Sequence, residues 1–127
     1  MNTAFRLITL TLLITSLVFV LAAPAFAADA KVAGEWNFNI ESPNGPATPS
    51  AIFKQDGGTL TGTYKGRYGE SPLKGTVNGN QIAFTFTINV QGQDLQIEYT
   101  GTVDGDSMKG TVKFGELGQG NFTGKKK

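Results

Sequence analysis

The 127-residue chain has no histidine, no cysteine, a single tryptophan and a formal charge of only +1. Each shortage excludes something. Without histidine or cysteine, nucleophiles that rely on a histidine base cannot be assembled, and the commonest zinc ligands are missing. Neither a disulfide framework nor a lipid on an N-terminal cysteine is available. Helical periodicity is also lacking, because no segment after Lys31 spaces its apolar residues by three and four. Acids are few, and most, including Glu35, Asp94 and Glu98, fall at outward or turn positions, so no pair of carboxylates converges on an apolar face. Asp104-Gly105-Asp106 lacks the remaining oxygen ligands of a calcium loop and reads as a hairpin turn. The expectation is a protein that is not an enzyme, with no cofactor and no metal.

What is present begins with a leader. "MNTAFR" supplies a short basic start, Leu7 to Ala23 an apolar run, and Ala25-Phe26-Ala27 a small-residue cleavage site, so residues 1–27 read as a secretory signal peptide. Leu7 to Phe26 is also about as long as a spanning helix, and a retained anchor is the alternative. Cleavage leaves 28–127, one domain able to hold a core without staples, in the periplasm or secreted. Loss of Arg6 balances the mature chain at ten basic and ten acidic residues. Nucleic acid is therefore not an expected partner. The closing "KKK" reads as a solvated tail.

Apolar and polar residues alternate with period two almost throughout, the pattern of a sheet wet on one face. Trp36, Phe38 and Ile40 oppose Asn37 and Asn39; Ile82, Phe84, Phe86 and Ile88 oppose Ala83, Thr85, Thr87 and Asn89. Turn residues divide the run into eight strands, roughly 33–41, 48–55, 59–66, 71–77, 80–90, 93–103, 106–114 and 118–125. Asn78-Gly79, Asp104-Gly105 and Gln91-Gly92 read as two-residue turns. Those turns set Gly75 opposite Ile82, Gly101 opposite Met108, Tyr99 opposite Gly110, and Ile88 opposite Leu95.

A glycine recurs inside successive strands, in "LTGTY", "LKGTV", "YTGTV" and "MKGTV". Parity points Gly62, Gly75, Gly101 and Gly110 inward, where large neighbours can cover them and where the absence of a side chain lets a strand bend. Bending closes a small barrel, and closure removes the edges that aggregate. The expected fold is all-β: a single eight-stranded antiparallel up-and-down barrel with its first strand paired to its last. Tight turns gather at one end with both termini, and the longer loops "SPNGPATP", "GRYGESP" and "GELGQ" make the other end a mouth.

"GEW" at Gly34 to Trp36 resembles the Gly-x-Trp signature that opens the first strand of lipocalins, and "LTGTY" at Leu60 to Tyr64 resembles an early strand of avidins. The chain looks like a small secreted bacterial lipocalin-like or avidin-like barrel. The resemblance implies that Trp36 packs at the closed end, with Lys126 in the place of the family's usual arginine as a cation over its ring. It also nominates Tyr64 as a ligand contact. Phe38 stands where avidins carry asparagine and no further tryptophan follows Trp36, so biotin is not the implied ligand. The longer chain and C-terminal helix of ordinary lipocalins are missing as well.

Two functions fit such a barrel. One is a binding module for a small apolar or amphipathic molecule, with Tyr64, Phe86, Ile88 and Leu95 as its upper wall and Asn44, Arg67, Tyr68, Glu70 and Leu117 as its rim. Tyr68 beside Arg67 would suit an anionic or ring-bearing ligand. The other is a barrel filled by its own side chains, acting through surface contacts in the cell envelope. The sequence assigns no protein partner and no oligomeric state.

Overall fold

The computed structural model describes residues 28–43 and 45–127. The signal segment and Asn44 lie outside the described residues. Among the described residues nine strands form a single antiparallel sheet: β1 (Gly34–Ser42), β2 (Gly45–Ala47), β3 (Ser50–Asp56), β4 (Thr59–Gly66), β5 (Gly69–Asn78), β6 (Gln81–Val90), β7 (Gln93–Asp104), β8 (Ser107–Phe114) and β9 (Gln119–Lys126). From β3 to β9 each strand pairs with the next, and β1 pairs with both β3 and β9. The sheet is thus a closed up-and-down barrel of eight staves, the second of them broken into β2 and β3 at Thr48-Pro49. Pro49 fits the break, since it cannot donate to a ladder.

The alternating pattern lands as parity requires. Trp36, Phe38, Ile40, Phe53, Leu60, Leu73, Val77, Ile82, Phe84, Phe86, Ile97, Tyr99, Val103, Met108, Val112 and Phe122 are all buried in one continuous core. Its centre is aromatic. Phe38 lies with its ring centroid 5.6 Å from Tyr99, 5.7 Å from Phe122 and 6.4 Å from Phe53, while Phe84 stacks on Tyr99 at 4.6 Å.

The repeated glycines face inward, and each lets a neighbouring strand come close. A Cβ on Gly75 would run into the Ala83 carbonyl oxygen, one on Gly101 into that of Lys109, and one on Gly110 into that of Thr100. Aromatic residues cover most of these gaps. Gly62 pairs with Phe53, Gly75 with Phe84, Gly110 with Phe122, and Gly124 with Phe38. The ring over the glycine recovers packing that the bare backbone forgoes.

Two registers differ from the sequence reading. Gly75 pairs with Phe84 rather than Ile82, and Gly101 with Gly110 rather than Met108, which leaves Tyr99 opposite Val112. Glycine takes the first turn position instead of the second: Gly79 and Gly105 have φ of +61° and +62°, and the residues that follow them do not share the positive φ. That is the glycine-first form of the two-residue hairpin. Gln91-Gly92 adopts the expected form, with φ of 53° and 86°, and Ile88 pairs with Leu95 as read.

The closed end carries a strap. Before β1, the Ala30 amide donates to the Gly79 carbonyl at 2.8 Å, Asp29 Oδ1 accepts from the Gly79 amide at 2.8 Å, and Val32 is fully buried. Gln55 pins the strap, accepting from the Val32 amide at 2.7 Å and donating to the Ala30 carbonyl at 2.8 Å. The Trp36 indole donates to the Val32 carbonyl at 2.9 Å. Substituting Gln55→Ala is expected to cost about 1–2 kcal/mol by freeing the strap. Urea denaturation checks this, and a variant as stable as the parent would mean that the strap contributes nothing.

Candidate functional site

At the opposite end the staves part. Pairing between β3 and β4 stops at Ser50↔Lys65, and pairing between β5 and β6 runs only from Asn78↔Gln81 to Lys74↔Thr85. The tip of the β4–β5 hairpin therefore stands clear of both neighbouring strands. Pro72 fits there, because its missing N–H lies on a stretch of β5 that has no register partner in β6.

A cavity of about 690 Å³ opens at this end. Residues 45–50 form one lip and 64–69 the other; Ile40, Phe86, Ile88, Leu95, Ile97 and Phe114 form the inner wall. The volume lies in the range of small-molecule sites, roughly 300–1,000 Å³. The lips nearly meet where Arg67 Nη2 reaches the Pro46 carbonyl at 3.5 Å. Among the described residues, Tyr68 and Leu117 are the two exposed large hydrophobic side chains, 53% and 69% accessible, and both line this cavity.

The floor is set by Tyr64, whose ring stacks on Phe86 with centroids 3.8 Å apart. Its hydroxyl bonds that of Tyr99 at 2.7 Å inside the barrel. Only one proton can lie between two hydroxyl oxygens, so the accepting phenol keeps its own for another acceptor. Tyr64 is the phenol that lines the cavity, while Tyr99 is fully buried. Burial pushes Tyr64 up to about 12, against a smaller opposing effect of its hydrogen bond with Tyr99. Tyr99 is pushed up further, by burial first and then by the neighbouring phenol. Both stay neutral donors through the physiological range.

The structure brings together Tyr64, Arg67, Tyr68, Phe86, Ile88, Leu95 and Leu117 around this one cavity. Glu70 is not among its wall residues; it is exposed and pairs with Lys65 across the hairpin. Asn44 lies outside the described residues. "GRYGESP" is not a long loop: Gly66 and Gly69 are paired strand residues, and Arg67-Tyr68 alone makes the turn. Glycine at 69 follows from its φ of +100°. At the closed end Lys126 pairs with Trp36, and its aliphatic stem lies beside Gly34.

Several wall residues escaped the sequence reading. Lys65 has outward parity but stands at the last pair of the β3–β4 ladder, and residues 45–47 fell in the loop between the first two strands as read. The two prolines, Pro46 and Pro49, were the available signal for a lip that pairs with β1 but not with β4.

No protein-family model and no curated protein matches the sequence. The chemistry of the cavity is simple: an apolar wall, one neutral phenol at the floor, and two cations at the lips.

Proposed function

We propose that the protein is an exported container that binds a small apolar or amphipathic molecule in the mouth of its barrel. The observation that carries this reading is the 690 Å³ hollow, walled by Ile88, Leu95, Ile97 and Phe114 in a barrel narrow enough to be filled by its own side chains. Lower down the aromatic cluster does fill it. The side chains stop short at the one end where strand pairing also stops, which supports a built recess. The leader-like residues 1–27 support a site of action in the periplasm or outside the cell. Binding rather than catalysis is proposed because the wall offers no acid and base pair.

The competing role, a packed barrel working through its outer surface, draws on that same aromatic cluster. A polarity-sensitive apolar fluorophore separates the two. Saturable binding that the double substitution Arg67→Ala/Tyr68→Ala weakens strongly, with a stability change within about 0.5 kcal/mol, is expected for an exposed rim. Absence of any saturable signal would leave the surface role standing, and unchanged affinity in the double variant would remove the rim from the site.

A further inference from the structure

We infer that the molecule held in the mouth is a single-chain anionic amphiphile of the alkyl carboxylate class, tail inward, with its head group between the lips beside Arg67 and Lys65. This rests on the container reading and adds the sign of the ligand's charge and its orientation.

The inference comes from a charge asymmetry. The cavity wall includes two cations, Lys65 and Arg67, and no aspartate or glutamate. All ten acids of the chain fall within the described residues, so no carboxylate is hidden from that comparison. The acids of this end, Glu41, Glu70, Asp94 and Glu116, all lie off the wall. Glu70 is the register partner of Lys65, yet among the described residues the ion pair within 4 Å is Lys127 to Glu35, at the far end of the barrel. Among the described residues Arg67 has only the 3.5 Å contact to the Pro46 carbonyl, which leaves most of its guanidinium donors for a ligand. Guanidinium and carboxylate match in geometry as well as charge.

Orientation follows from what lies deeper. Below the lips the wall is Ile40, Ile88, Leu95, Ile97 and the rings of Phe86 and Phe114, against which an ionised head would lose its hydration without a partner. The phenol pair at the floor is neutral and offers an ionised head no opposite charge. An alkyl tail gains by burial there, and the head gains only at the lips.

Three probes sharing one dodecyl tail test this: dodecanoate, dodecanol and dodecyltrimethylammonium, each below its micelle-forming concentration, by displacement of the fluorophore at low and high salt. Dodecanoate is expected to bind roughly 3-fold to 10-fold more tightly than dodecanol at low salt, as one or two exposed ion pairs allow. Salt should narrow the gap, and dodecyltrimethylammonium should bind most weakly. In Lys65→Glu/Arg67→Glu the order of anion and cation should reverse. Equal binding of dodecanoate and dodecanol, or tighter binding of the cation, would overturn the charge inference and leave the container reading intact. Failure of all three to displace the fluorophore would overturn both.

Discussion

Substituting Gly110→Ala is expected to destabilise the barrel by about 3–5 kcal/mol, the scale of the most damaging core changes and a large share of a small domain's stability. Propensity alone gives the opposite sign, since alanine in place of a strand glycine ordinarily gains about 0.5–1 kcal/mol. Geometry decides. Gly110 has no positive φ, so backbone strain plays no part. The added methyl would meet the Thr100 carbonyl oxygen and sit 2.5 Å from the Gly101 Cα, and both belong to the backbone of β7, which cannot swing aside as a side chain would. Gly101 and Gly110 are direct partners, so β7 and β8 approach each other through two bare positions at once. Relief requires pushing β7, which carries Tyr99, away from β8, whose other neighbour β9 carries Phe122, and the two rings lie 4.8 Å apart between centroids. Urea denaturation measures the loss, with the exposed Thr102→Ala as a control that should stay within about 1 kcal/mol. A Gly110→Ala variant as stable as the parent would sink the claim that these glycines are present for close strand approach.

The same glycines show why most of the fold was legible. Period-two alternation fixed which side chains face inward, and every inward aromatic so read is buried. Turn chemistry located the hairpins but not which residue of Asn78-Gly79-Asn80 or Asp104-Gly105-Asp106 begins the turn, because a glycine serves at either central position. The resulting slip was two residues. A slip of two keeps every side chain on its face, whereas a slip of one would have turned the core outward. Gln91-Gly92 left less room for error, and its register came out as read.

The site was less legible, for a different reason. A wall built by strand parity, such as Phe86, Ile88 and Leu95, follows from the alternation. A wall built where pairing stops does not, because the end of a ladder depends on two strands and not on one local pattern. Lys65 belongs to the cavity because the β3–β4 ladder ends at its pair with Ser50, and residues 45–49 because they pair with β1 at most and have no register partner in β4. The aromatic pair Tyr64 and Tyr99 combines both cases: parity placed each phenol inside, but 35 residues separate them, and only the closed barrel brings their hydroxyls together.

That pair carries the second large effect, an alkaline unfolding. Burial raises the folded-state value of Tyr64 from 10.0 to about 12, and that of Tyr99 further still. A phenol whose folded value is raised lends its full stabilisation below the unfolded value near 10, and that stabilisation drains away as the pH climbs toward the folded value, because only the unfolded chain can then release the proton. Each phenol removes at most about 1.4 kcal/mol per pH unit, reached in the middle of that window, so the two together remove about 4 kcal/mol between pH 10 and pH 12. Losses of that size approach the whole stability of a small domain. Urea denaturation from pH 8 to pH 12 is expected to show a plateau followed by a fall beginning near pH 10, with phenolate absorbance from two of the three tyrosines appearing only as the chain unfolds. Removing both hydroxyls in Tyr64→Phe/Tyr99→Phe avoids stranding one buried polar group and should flatten the fall. Stability that stays level through pH 11, or an equal fall in the double variant, would mean that the phenols are not held in the dry interior that the barrel gives them.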